Sequence, residues 1–146
     1  MAIACHDIVN HIPSVDTLKV IFHQVRRALE PGATLAFDSL RAWCFESYWD
    51  KSRYELYGGK GKLVMHCRWE PRRKIGTARI ISYTGSNGAR RRRETILNEY
   101  LHEEADLREA LRENGFSRSR ASLWSPWPDQ HLEPQMDRLF WIATRD

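Results

Sequence analysis

The chain has 146 residues, of which 42% are hydrophobic and 29% charged, with a formal net charge of +4 at neutral pH. This composition suits one soluble, globular domain with a core of its own and excludes a disordered chain. No apolar run approaches the ~20 residues of a membrane-spanning helix, and the start, Met1-Ala2-Ile3-Ala4-Cys5-His6-Asp7, lacks the basic-then-apolar order of a signal peptide. Cys5, Cys44 and Cys67 form no CxxC pair and no even framework, which suits a reducing cytoplasm, and no histidine spacing matches a zinc site, so no metal is expected. The basic balance raises nucleic acid as a partner. Much of the excess comes from Arg72-Arg73-Lys74, in a predicted turn, and from Arg90 to Arg93, and nucleic acid ranks last among the expected partners.

Ala2 to Cys5 is short and apolar and predicts the end of a buried strand. A helix follows. Ser14 is its expected N-cap and Asp16 favours the positive end of the dipole. Leu18, Ile21, Phe22, Val25, Ala28 and Leu29 recur at three- and four-residue spacing as one apolar stripe, and Pro31-Gly32 ends the helix. Thr34-Leu35-Ala36-Phe37 predicts a second buried strand that ends in Asp38-Ser39. Strand, helix and strand within residues 1–39 make a βαβ unit with parallel pairing.

Residues 40–101 change texture. The stretch to residue 60 reads as an aromatic-rich loop containing Trp43, Phe45, Tyr48, Trp49, Tyr54 and Tyr57. Then Leu63, Met65, Cys67 and Trp69 alternate with Lys62, Val64, His66 and Arg68, which predicts a strand with one buried and one wet face. Residues 76–84 and 91–101 predict two further strands, with Ser86-Asn87-Gly88 as a hairpin turn between them. The expectation is a three-stranded antiparallel meander. In residues 102–146, Glu103 to Asn114 predicts a helix with Leu107, Ala110 and Leu111 inward and Asn114-Gly115 as its C-cap. Phe116 to Trp124 predicts a strand, Pro126, Pro128 and Pro134 mark a loop, and Arg138 to Ala143 predicts the closing strand.

Four motifs occur in order. Cys5-His6-Asp7-Ile8-Val9-Asn10-His11-Ile12 is followed by Val25-x-x-x-Leu29-Glu30-Pro31-Gly32 running into Leu35-Ala36-Phe37-Asp38. Leu111-x-x-x-Gly115-Phe116 and Arg138-x-Phe140-x-x-Ala143-x-Arg145 complete the set. Together these resemble the C-terminal half of the class I, Rossmann-like S-adenosylmethionine-dependent methyltransferases. They resemble, in turn, the segment after the family's fourth strand, its P-G-G stop before the fifth, its L-x-x-x-G-F helix end and its closing antiparallel strand. The fold implied is α/β: a partial Rossmann-like sheet of two parallel strands joined by a helix, then a helix and two C-terminal strands, the last antiparallel, with the meander inserted. The family's glycine-rich loop (D/E-x-G-x-G-x-G) and the acidic residue that holds the cofactor ribose have no counterpart here. An incomplete domain, or one completed by a partner chain, is therefore expected.

The resemblance implies S-adenosylmethionine as cofactor, at the carboxyl ends of the parallel strands, and so points to Cys5, His6 and Asp7, less directly to Asn10 and His11. The plainer alternative is that Asp7 and Asn10 cap a turn. Asp38 faces the same crevice as a substrate contact, or else starts an Asx turn. Tyr48 and Trp49 either close over a small substrate or pack the insertion. Along the predicted strand Arg90 and Arg92 face one way and Arg91 and Arg93 the other; one pair is solvated and the other meets Glu94, Glu99 or an acidic substrate, with Arg93 as the substrate-contact candidate. Methyl transfer needs alignment and water exclusion more than acid–base groups, so no catalytic residue is assigned.

Three functions follow. The first is methyl transfer to a small-molecule acceptor. The second is a non-catalytic interaction protein of methyltransferase descent, dimerising or binding a partner chain through the uncovered edge of the strand at Ala2 to Cys5. The third is a basic nucleic-acid-binding module, whose standard fingerprints the sequence lacks.

Overall fold

A computed structural model describes residues 1–58, 61–85, 91–123 and 138–146. The chain divides into two compact units: Met1–Cys44 with Tyr100–Asp146, and Phe45–Glu99.

The first unit is built on a sheet in the order β1-β2-β8-β7, from strands β1 (Ala2–Ala4), β2 (Thr34–Leu40), β7 (Arg118–Leu123) and β8 (Arg138–Thr144). β1 runs parallel to β2, and β8 is antiparallel to both its neighbours. β7 therefore points the same way as β2, and β8 is the reversed strand of an otherwise parallel sheet. Helix α1 (Val15–Ala28) connects β1 to β2. It starts where expected: the Ser14 hydroxyl accepts the Thr17 N–H at 3.2 Å. Leu18 and Phe22 are buried and Val25 packs at the edge of the core, whereas Ile21 is 36% exposed, so the buried stripe is narrower than the sequence suggests.

Helix α3 (Glu104–Glu113) supplies Leu107, Ala110 and Leu111, all fully buried, to the same core. Gly115 follows at φ +76°, and the Phe116 N–H reaches back to the Leu111 carbonyl at 3.0 Å. This is the left-handed helix stop that Asn114-Gly115 predicts. The aromatic ring of Phe116, fully buried, then plugs the core before β7 begins, two residues later than expected. At the centre Phe37 and Trp141, in register across β2 and β8, stack with ring centroids 5.5 Å apart and planes within 4°. The Trp141 indole N–H donates to the Ser39 hydroxyl at 2.9 Å, so the largest core side chain buries no orphan donor.

Two expectations need correcting here. β1 is the edge strand expected, but it is not buried as its apolar sequence suggests: Ala2 and Ala4 are half-buried and Ile3 is 61% exposed, because among the described residues only β2 flanks it and Ile3 points away from α1 and α3. β2 does not end in Asp38-Ser39 but continues to Leu40, since β8 pairs with it throughout, from Thr34↔Thr144 to Leu40↔Arg138. Asp38 and Ser39 are thus buried strand residues.

The second unit opens with a helical turn, Phe45–Trp49, that continues the short α2 (Ala42–Cys44). Its sheet runs β3-β4-β5-β6, from β3 (Arg53–Gly58), β4 (Gly61–Glu70), β5 (Ile75–Thr84) and β6 (Arg91–Tyr100). The three expected strands are present and a fourth, β3, joins them out of the presumed loop. The hairpin expected at Ser86-Asn87-Gly88, the proline-rich loop and Arg90 lie outside the described residues. Trp69 and Cys67 are buried as the alternation predicts, whereas Val64, expected on the wet face, is 5% exposed and Leu63 and Met65 are only half-buried. Trp69 stacks on Phe45 with centroids 4.6 Å apart. Gly76 is required for that packing: a Cβ there would lie 2.7 Å from the Trp49 ring and 2.8 Å from Phe45.

Candidate functional site

The carboxyl ends of parallel strands are where open α/β sheets place their ligands. In the first unit this end is shaped by the turn after β1. Cys5 and His6 are exposed and Asp7 half-buried. His6 (φ 62°) and Asp7 (φ 52°) are consecutive left-handed residues. His and Asp are among the few side chains enriched in that conformation, but two in succession hold only if the surroundings fix them.

Asp38 does this. Both its carboxylate oxygens accept the Asp7 backbone N–H, at 3.2 and 3.3 Å. The Arg138 guanidinium donates to the Asp38 carboxylate and approaches the Asp7 carboxylate at 3.5 Å. Asp38 is only 4% exposed, so its charge is sheltered from water and must be compensated by these donors. One guanidinium between two carboxylates, with a backbone amide as the fourth party, ties β1, β2 and β8 together at the rim of the crevice.

A second anchor lies beneath. The 3-10 turn Ile8–His11 carries Asn10, fully buried. Its amide donates to the Tyr100 carbonyl at 2.9 Å and its carbonyl accepts the Leu40 N–H at 2.8 Å. Each half of the side chain satisfies one backbone group that would otherwise be buried unpaired. A ring nitrogen of His102 lies 3.0 Å from the Ile12 carbonyl, again joining this turn to the segment that enters α3. Nearby, a concavity of about 260 Å³ is lined by Ser39, Leu40, Trp43, His102, Glu103 and Leu139.

Of the residues singled out from the sequence, the structure brings Asp7 and Asp38 into direct contact, with Cys5 and His6 on the same turn. Asn10 is structural, but not as the turn cap of the plainer reading: its side chain bonds Leu40 and Tyr100, 30 and 90 positions away. Tyr48, Trp49 and Arg93 belong to the second unit. The Tyr48 carbonyl accepts the Tyr54 hydroxyl at 2.7 Å while its ring remains 45% exposed, and Trp49 packs on Phe45 at 5.6 Å. Arg93 is exposed on β6. It is its neighbour Arg92 that pairs with Glu94. Arg138 was not foreseen as a site residue. Its signal was a charged residue opening an otherwise apolar closing strand. Among the described residues no three His, Cys, Asp or Glu side chains gather as a metal site would require.

No protein-family model and no curated protein matches the chain. Solved structures do. The chain superposes on an S-adenosylmethionine-dependent methyltransferase from Clostridium acetobutylicum with a TM-score of 0.77 at 15% identity, covering 98% of this chain and 56% of that one. It also matches S-adenosylmethionine-bound CalS10, an amino pentose methyltransferase from Micromonospora echinaspora, with a TM-score of 0.66 at 13% identity, over 99% of this chain and 58% of the other. The sugar N-methyltransferase KedS8 from a Streptoalloteichus species gives 0.66 at 14%, over 98% and 55%. The chain thus spans a little over half the length of the structures it resembles, and its fold is that of a partial Rossmann-like S-adenosylmethionine-dependent methyltransferase domain.

Proposed function

We propose that this chain takes part in S-adenosylmethionine-dependent methyl transfer to a small-molecule acceptor, as a portion of a domain completed by further strands and helices. The observation that carries the reading is the turn Cys5–His6–Asp7. It sits at the carboxyl end of the parallel pair, leaves Cys5 and His6 exposed, and is held in an unusual backbone conformation by buried Asp38 and by Arg138. A structure that fixes two left-handed residues at a ligand-facing rim is preorganised for binding.

S-adenosylmethionine, when bound, supplies an electrophilic methyl group on a sulfonium. The chain's own part is to present Cys5 and His6 toward the crevice, with Asp7 oriented through Arg138. Asp38 then acts as a positioning residue, holding the Asp7 amide, and not as a direct substrate contact. The glycine-rich loop that grips the methionine end in the wider family has no match in the sequence, so most of the cofactor grip is assigned to the completing segment.

That segment also has a place to dock. Ile3, Ala36 and Ile142 align across β1, β2 and β8 on the sheet face opposite α1 and α3, with Ile3 61% and Ile142 37% exposed. The free edge of β1 adjoins this apolar row, a template for another strand. The longer structural neighbours supply the argument for the occupant: the remainder of a methyltransferase domain, in the same polypeptide or in a partner chain, whereas a second copy covers the edge without supplying that remainder.

Calorimetric titration of the purified chain with S-adenosylmethionine and S-adenosylhomocysteine, with the oligomeric state measured in parallel, tests the reading. Saturable binding is expected, accompanied by a dimeric or higher state. A folded, monodisperse monomer that binds neither ligand contradicts cofactor binding by this chain and favours the non-catalytic interaction protein.

A further inference from the structure

The exposed face of the second sheet carries an ordered arrangement that the methyltransferase reading does not use. In β4, Lys62, Val64 and His66 point to one side, and their partners on β3 and β5 follow from the register. Arg53, His66 and Arg79 form one cross-strand row. Glu55, Val64 and Ile81 form the next, and Tyr57, Lys62 and Tyr83 the third. One end of the face is cationic, the middle is apolar with a carboxylate at its edge, and the other end sets an ammonium between two phenols. Arg53, Tyr57, Lys62, Val64, His66, Ile81 and Tyr83 line a concavity of about 660 Å³. Val64 and Ile81 are its floor, 5% and 7% exposed.

The charges do not cancel. Arg53 and Lys62 share the single carboxylate of Glu55, and Arg79 and Arg92 share that of Glu94. Hydrogen bonds from Lys62 and Tyr57 hold the Glu55 pKa down at about 2, and bonds from Arg79 and Arg92 do the same for Glu94. Both carboxylates are therefore ionised at neutral pH. Four cationic groups face two anions, and each triad keeps one positive charge in excess.

We propose that this face binds an amphipathic organic anion. Its planar, apolar body lies on Val64 and Ile81 beside the rings of Tyr57 and Tyr83, and its phosphate or carboxylate meets Arg53, Lys62 and His66. A bare inorganic ion gains nothing from the apolar floor. A polyanion laid across the face meets both Glu55 and Glu94, whereas a small ligand at Arg53 and Lys62 has only Glu55 beside it and competes with that one carboxylate for the two cations. The Lys62 ammonium, 5.0 Å from the Tyr57 ring centroid, is placed to serve both the aromatic body and the anionic group. The site rests on the second unit alone and does not depend on methyl transfer.

Phenyl phosphate and benzoate, with inorganic phosphate and phenol as single-component controls, are the probes, titrated into the full chain and followed by amide chemical shifts. At least one aromatic anion is expected to bind saturably, about tenfold more tightly than either control, with shifts in β3, β4 and β5. The stronger of the two identifies the anionic group. Lys62→Met is expected to weaken that binding about tenfold, the worth of one charge-assisted hydrogen bond. Arg53→Gln, at a more exposed position, provides a second variant, and an unchanged circular dichroism spectrum establishes that each is folded. The proposal is overturned if inorganic phosphate binds as well as phenyl phosphate, if neither aromatic anion saturates, or if both variants bind as the parent does. Tighter binding of an oligothymidylate, with the same variants affected, would replace it with a nucleic-acid surface.

Discussion

Replacement of Arg138 by methionine is expected to lower the stability of the first unit by about 3 kcal/mol, the usual cost of stranding a buried carboxylate. The side chain of Asp38 is 5% exposed and that of Asp7 19%, so neither charge can recruit water freely once the guanidinium is gone. What remains is the single Asp7 amide, already shared between the two Asp38 oxygens. Methionine keeps the aliphatic stem and isolates the charge effect. Urea unfolding followed by far-ultraviolet circular dichroism measures it. The double variant Asp38→Asn with Arg138→Met is expected to recover at least about 1 kcal/mol, since contacting members of one charge network are not additive. Full additivity would show that the Asp38–Arg138 contact contributes nothing in solution.

A larger loss is expected from Trp141→Ala, about 4 kcal/mol, within the range for truncating a fully buried large aromatic. Three contacts disappear together: the stack on Phe37, the indole N–H to the Ser39 hydroxyl, and the Arg108 guanidinium 5.2 Å from the ring centroid. The neighbours belong to a sheet in continuous register, which limits how far the cavity can collapse. Trp141→Phe retains most of the ring and loses the hydrogen bond, so a loss of about 1 kcal/mol is expected. Thermal unfolding of the two variants and the parent gives the ordering directly. Equal effects of the two substitutions would mean that the hydrogen bond, not the stack, dominates.

The legible parts of this fold were those whose cause is local. The period of α1, its stop at Pro31-Gly32, the Asn114-Gly115-Phe116 reversal and the alternation over the second half of β4, from His66 to Trp69, each depend on residues a few positions apart. β3 was missed for a physical reason. Arg53 to Gly58 puts exposed side chains on both faces, including Leu56 at 63% and Tyr57 at 71%, so no apolar period betrays a strand. The edge position of β1 is legible from the resemblance, but the burial of its residues is not: Ala2-Ile3-Ala4 is apolar throughout, and only the strand's alternation sets Ala2 and Ala4 against the core and Ile3 outside it.

The candidate site was half legible. Cys5, His6 and Asp7 were located through resemblance to a family motif, and their place at the end of a parallel strand followed from topology. Their fixing could not be read, because Asp38 lies 31 positions and Arg138 131 positions from Asp7. Only the pairing of β2 with β8, which sets Arg138 opposite Leu40, brings them to one rim. The arginine run shows the same limit. Alternation on β6 separates Arg92 from Arg93, but only the sheet order brings Arg79 of β5 to the same Glu94.

The central claim is that the rim formed by Cys5, His6 and Asp7 is a cofactor-facing surface. Two-dimensional ¹H–¹⁵N spectra of the chain titrated with S-adenosylhomocysteine test it most directly. The predicted result is saturable movement of the Cys5, His6 and Asp7 amides, with smaller shifts at Ser39 and Leu40, abolished in a folded Asp38→Ala variant, which leaves the Asp7 amide without its acceptor. Saturable binding that moves other amides and leaves these still, or no movement in a folded sample, would contradict the account.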